Sequence, residues 1–121
     1  QHDVCGNQAL LEIAGKVAKL GGWVVHLPER RIEWSDETWE IHGRPNSRTV
    51  TLEEGINYFV TEWRDTIMQH FETCVATGMP YDIEVEIIDA TGRRKWVRAI
   101  GVAIRDDMGS IARIQGALQE R

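Results

Sequence analysis

The side chains able to do acid–base, nucleophilic or metal chemistry are few in this chain and widely spaced. It has four histidines and two cysteines. Cys5 and Cys74 form no CxxC or other metal-like spacing, and four scattered His with two distant Cys make no constellation, so no metal site is predicted. Two acidic pairs, Asp36-Glu37 and Asp106-Asp107, resemble general acid–base couples only on paper. Each falls at a predicted helix cap or turn, where carboxylates bind local backbone N–H groups, and no neighbour is placed to shift a pKa. A nucleophile elbow, a phosphate-binding glycine loop and an HExxH helix are all missing. The expectation is a chain without a catalytic set, which points away from an enzyme.

The totals agree with a binding or signalling role. The 121 residues suit one domain with a real hydrophobic core, and 42% hydrophobic with 27% charged residues is ordinary for a globular protein. A net charge of −5 argues against nucleic acid or an anionic membrane surface as partner. No apolar run is long enough to span a bilayer. Two dispersed thiols fit a reducing, cytoplasmic compartment, whether or not a full-length polypeptide is membrane-anchored. The chain starts at Gln1, as expected of a segment of a longer protein. Five tryptophans are the compositional outlier, expected where core meets rim.

These side chains need elements to hold them. Residues 7–20 place Leu10, Leu11, Ala14 and Val17 at helical spacing behind an Asn7 cap, and Gly21-Gly22 ends that pattern. GGWVVHL and RIEWS, separated by Pro28-Glu29-Arg30, predict a hairpin. Ser35 is placed to cap a short helix through DETWEIHG, and RPNSRT (44–49) reads as loop. One or two helical turns fit 51–59, and a long helix fits 62–78 with Ile67, Phe71 and Cys74 along one side and His70 beside them. The pattern then changes to period two. Ile83, Val85 and Ile87 alternate with Asp82, Glu84 and Glu86, a turn falls at 89–92, and strands follow at 95–105 and 110–119. Strand runs separated by a helical block indicate an α+β domain with an antiparallel sheet.

The 95–105 strand has two unlike faces. Trp96, Ile100, Val102 and Ile104 lie on one side, and Val97, Ala99, Gly101 and Ala103 on the other. Leaving the four large residues wet forgoes about 1.5–3 kcal/mol each, so that face calls for a cover. The small residues leave volume that a facing side chain, water or a ligand must fill.

The tail GRRKWVRAIGVAIRDDMGSIARIQGALQE resembles the C-terminal (PAC) motif of PAS domains, and GGWVVHL with WSDETWEIHG resembles the start of the same fold. The resemblance runs from about Leu10 to Glu120. It departs at Val60-Thr61-Glu62-Trp63-Arg64, where relatives often carry a His-Pro-acid-Asp-Arg run, and at Glu120-Arg121, where they carry Asp-Ile-Thr. It implies a five-stranded antiparallel sheet in the order 2-1-5-4-3 with helices on one face, an N-terminal capping or dimerisation helix in 1–20 and the PAS domain proper in 21–121. The implied pocket lies between sheet and helices. Ile83, Val85, Ile87, Val97, Ala99, Gly101 and Leu118 face it from the strands, and Trp39, Phe59, Ile67, His70 and Phe71 from the helical side. Either a small, largely apolar ligand occupies it, or Trp39, Phe59 or Phe71 fills it. On the outer face Leu10, Leu11, Ala14 and Val17 are expected against Trp96, Ile100 and Val102, within one chain or across a homodimer.

The resemblance implies a sensory, signal-transducing module feeding a C-terminal output domain, commonly a histidine kinase of a two-component system or a diguanylate cyclase in bacterial relatives. Flavin photochemistry is not expected. Ile87, Val97 and Leu118 stand where relatives read the flavin ring with polar side chains, and neither Cys lies at the reactive position. A haem would need an axial ligand, for which His70 is the candidate, with His42 a second isolated histidine.

Overall fold

The computed structural model describes residues 19–44 and 50–121. The expected contacts of Leu10, Leu11, Ala14 and Val17, the thiol of Cys5 and most of the 44–49 loop therefore lie outside the described residues. Strand β1 (Leu20–His26) and strand β2 (Arg31–Trp34) form the first hairpin, in a register that sets Trp23 opposite Trp34 and Val25 opposite Ile32. β1 begins at Leu20 because that residue already pairs with Gln119 of the last strand. The expected helix therefore cannot extend to it.

Helix α1 (Asp36–Ile41) is capped by Ser35, whose hydroxyl accepts from the Thr38 amide at 3.4 Å and from the Gly22 amide at 2.8 Å. One serine thus starts the helix and ties it to β1. A two-residue strand, β3 (Val50–Thr51), pairs with β2 and was not expected. Two residues carry no periodicity, so only the pairing of Val50 with Ile32 reveals it. Helix α2 (Leu52–Asn57) opens with a full capping box between Thr51 and Glu54. Helix α3 (Thr61–Thr77) buries Ile67, Phe71 and Cys74, the stripe its spacing predicted.

Strands β4 (Tyr81–Ile88), β5 (Arg94–Arg105) and β6 (Ile111–Glu120) complete one antiparallel sheet in the order β3-β2-β1-β6-β5-β4. Its five long strands follow the expected order, with β3 added at the edge. Asp89 builds the β4–β5 turn, its Oδ1 accepting from the Thr91 and Arg93 amides at 3.0 and 2.9 Å and from the Thr91 hydroxyl at 2.6 Å. Asp106 does the same in the next turn through the Met108 and Ser110 amides. That acidic residue has the local role the sequence assigned to it.

The core lies between the sheet and the three helices, with Val25, Trp39, Ile67, Phe71, Val85, Ile87, Val97, Ala99, Ile114 and Leu118 all buried. On the other face of the sheet Trp96 stays 48% exposed and Val102 37%.

Candidate functional site

Four consecutive register positions cross the inner face of the sheet. Trp23 pairs with Gly116, Gly116 with Gly101, and Gly101 with Tyr81. Two glycines therefore lie side by side between two large aromatic residues. A Cβ on Gly101 would stand 2.4 Å from Tyr81 Cζ, so the Tyr81 ring occupies the space that the missing side chain leaves. A Cβ on Gly116 would stand 1.7 Å from the Ile100 carbonyl oxygen, where only glycine permits the approach. The room over Gly101 is thus taken by Tyr81, a residue other than the Trp39, Phe59 and Phe71 expected from the sequence. The missed signal was plain in one respect: Tyr81 continues the alternation of Ile83, Val85 and Ile87.

What space remains is a cavity of about 80 Å³. Its walls come from every layer of the fold: Trp23, Val25, Ile32 and Trp34 from the first hairpin, Thr38 and His42 at α1, Leu52, Gly55 and Ile56 from α2, and Phe59. Ile67 and Phe71 of α3, Tyr81, Ala99 and Leu118 complete the lining. Of the residues proposed from sequence, Phe59, Ile67, Phe71, Ala99 and Leu118 line this cavity. Trp39, Val85, Ile87 and Val97 are buried in the surrounding core, Gly101 is buried beneath Tyr81, and Ile83 is half-buried at its edge. His70 instead lines a shallow cleft between α3 and β4 with Gln69, Thr73 and Met79, its ring 5.8 Å from that of Tyr81.

Two polar groups on the cavity wall are nearly sealed from bulk water. Tyr81 is 8% exposed, and burial pushes its hydroxyl well above the usual phenol range. His42 is 2% exposed at the end of α1, its ring stacked on Trp34 at 4.0 Å and edge-on to Tyr58 at 4.8 Å. Its Nδ1 lies 2.8 Å from the Thr38 carbonyl oxygen, which only accepts, so Nδ1 carries the proton and donates. Burial lowers the His42 pKa to about 4, against the opposing effect of that hydrogen bond. The ring is therefore neutral near pH 7, and Nε2 presents a bare lone pair.

Next to His42, Lys95 connects three parts of the fold. Its Nζ donates to the Ile41 carbonyl at 2.7 Å and meets Asp89 Oδ2 at 3.3 Å and Glu120 Oε1 at 3.4 Å. Hydrogen bonds from the Thr91 hydroxyl, and then from the Arg93 amide and Lys95, hold the Asp89 carboxyl well below the usual range. Glu120 belongs to the final turn of backbone pairing, where its amide donates to Lys19 and the Arg121 amide donates to Trp96. A short polar chain thus runs from the α1 end of the cavity to the last residues of β6.

The cavity does not fit a haem or a flavin. Organic cofactor pockets run to about 300–1,000 Å³, several times this volume. His70 faces a different cleft, and Ile87, Val97 and Leu118 offer no polar atom to a flavin ring. Cys74 is fully buried in α3, where burial pushes its thiol up and away from reactivity. Among the described residues, no group of three or more His, Cys, Asp or Glu gathers at a potential metal site. No described helix is long and apolar enough to cross a membrane.

The family described as PAS fold matches residues 31–118. No curated protein matches the chain. Among solved structures, one similar chain is a sensory box histidine kinase/response regulator from Burkholderia thailandensis, at 17% identity and TM-score 0.74, covering 91% of this chain and 82% of that one. Another is the N-terminal domain of a diguanylate cyclase with PAS/PAC sensor from Marinobacter aquaeolei, at 15% identity and TM-score 0.76, covering 84% and 94%. A third is a domain of a putative light and redox sensing histidine kinase from Haloarcula marismortui, at 18% identity and TM-score 0.72, covering 93% and 97%. At these identities the structural likeness establishes the fold.

Proposed function

Since the chain belongs to the PAS family, we propose that it is a sensory, signal-transducing module whose cavity state is read at the end of β6 and regulates an output domain on the same polypeptide. A histidine kinase or a cyclic-di-GMP enzyme is the output this reading favours, by analogy with the similar chains. The observation that carries the reading is the Lys95 junction. The Ile41 carbonyl lies directly before His42 on the cavity wall, and Lys95 joins it to Glu120 at the exit strand. A ligand that prefers one placement of α1 over another biases that junction, and through it the pairing of Gln119–Arg121. Domain boundaries of 21–121, with a capping or dimer-forming helix before them, belong to the same proposal. So does a homodimer seated on Trp96, Ile100 and Val102.

Hydrogen exchange tests this reading. A ligand that raises the melting temperature is expected to change amide exchange at Gln119–Arg121, and Lys95→Met is expected to abolish the change while leaving binding intact. If compounds bind the cavity and exchange at the exit strand never responds, the sensory reading fails.

The small volume of the cavity favours a second reading, a homodimerisation module with a filled core. That reading predicts a dimer by light scattering, with exchange at β6 indifferent to any small molecule.

A further inference from the structure

The fifteen residues lining the cavity include no Asp, Glu, Lys or Arg. Their polar atoms are still not all satisfied from within. Tyr81 has no hydrogen-bond partner for its hydroxyl among the described residues, and His42 uses only Nδ1. Every fully enclosed side-chain nitrogen or oxygen among the described residues has a partner, so these two groups must meet open space. The Tyr81 ring lies over Gly101. Its oxygen lies 2.7 Å from where the Gly101 Cβ would be, on the inner face of the sheet, and Tyr81 lines both this cavity and the cleft beside His70. A nearly buried donor facing an apolar, uncharged space costs stability unless something accepts from it.

We infer that the cavity takes an uncharged molecule of about three or four heavy atoms with an apolar body and one hydroxyl or similar oxygen, which accepts a hydrogen bond from Tyr81. The size follows from volume. A cavity of roughly 150 Å³ holds benzene, about 25 Å³ per heavy atom, and 80 Å³ holds three or four on that scale. Neutrality follows from the walls. A carboxylate meets the His42 lone pair and no cation, and an ammonium meets no carboxylate, so each gives up its hydration without a counter-ion. The aromatic rings of Trp23, Trp34 and Phe71 pack the apolar body. A four-atom ligand is bounded by ligand efficiency to a Kd no tighter than about 40 μM, which suits a sensor of an abundant small metabolite or solvent-like compound.

This inference deepens the sensory reading and rests on it for its biological meaning, while its chemistry is testable separately. The experiment titrates the protein with propan-1-ol, propanoate, propylammonium and hexan-1-ol, following amide resonances of Tyr81, Ala99 and Leu118 by NMR. Propan-1-ol is expected to give saturable shifts confined to the cavity, and the two ions none. Hexan-1-ol is expected to bind no tighter than propan-1-ol despite its greater apolar area. Tyr81→Phe, which removes only the hydroxyl, is expected to weaken propan-1-ol about fivefold, and Trp96→Ala on the opposite face to leave it unchanged. Equal or tighter binding of either ion overturns the inference, as does Tyr81→Phe without effect. Saturable binding of hexan-1-ol alone overturns the size limit and leaves the sensory reading standing. Propan-1-ol binding as expected, without a response at Gln119–Arg121, upholds the cavity chemistry and sinks the sensory reading instead.

Discussion

The two faces of the sheet are built on the same backbone and differ in what they ask of each residue. On the inner face Val85, Ile87, Val97 and Ile114 are wholly buried, two glycines lie in register, and one ring fits over one missing side chain. On the outer face Trp96 and Val102 remain substantially exposed, and Arg98–Asp82 and Arg94–Glu86 pairs cross between β4 and β5 at 2.8 and 2.7 Å. Such exposed pairs contribute little to stability. The inner face is therefore intolerant of added or removed volume, and the outer face tolerates both until something docks on it.

The sharpest way to break this contrast is Gly116→Ala. Its new methyl meets main chain rather than a movable side chain, so a loss above about 3 kcal/mol in urea denaturation is expected. A loss under about 1 kcal/mol would mean that β5 and β6 can separate locally. The contrast sharpens at two adjacent isoleucines of β4. Ile87 is fully buried and Ile88 is 42% exposed. Ile87→Ala is expected to cost about 2–5 kcal/mol and Ile88→Ala less than about 0.5, measured in the same denaturation series. Equal costs would contradict the assignment of faces.

Acid provides a third probe of the inner face. His42 titrates at about 4 when folded and near 6.5 when unfolded. Between those values the unfolded chain binds the extra proton, so stability is full above about pH 6.5 and is lost as pH falls toward 4. The shift corresponds to roughly 3 kcal/mol. Subtracting the pH profile of His42→Phe, which keeps the stack on Trp34, is expected to isolate that loss. A difference profile flat over this range would show that His42 is not held neutral. Asp89 acts on the same side of the pH scale, because its depressed pKa also withdraws stability in acid, at lower pH than His42 does. A smaller effect is expected outside. Trp96→Ser should cost the monomer about 0.5–1.5 kcal/mol, through the edge-on contact of its ring with Trp63 at 5.8 Å, and should lower the dimer fraction in light scattering if this face is the dimer contact.

Much of this was legible in the residues, and the boundary is instructive. Period-two alternation fixed which way Val97, Ala99, Ile83 and Val85 point, since a strand's facing is a local property. Ser35 announced its helix because capping is equally local, and the Thr51–Glu54 capping box, found only in the structure, is a signal of the same kind. What fills the space over Gly101 was not legible from β5 alone. It depends on pairing between strands, which sets Tyr81 opposite Gly101 once the turn at Asp89 is fixed. The same limit hid Trp23, Trp34 and His42 as wall residues, for each reaches the cavity through a partner distant in sequence. His70 shows the converse. Its helical spacing sets it beside the buried stripe, at the edge of α3 that faces the cleft toward β4 rather than the cavity.

The ring of Tyr81 rests on bare main chain, and that makes any repair of this part of the core one-sided. If the ring is lost, a side chain at Gly101 of β5 can grow into the hole, since only the ring bars it, whereas one at Gly116 of β6 still meets the Ile100 carbonyl. Bulk can therefore be exchanged between positions 81 and 101 across the β4–β5 pair, while position 116 stays glycine whichever of the two carries it.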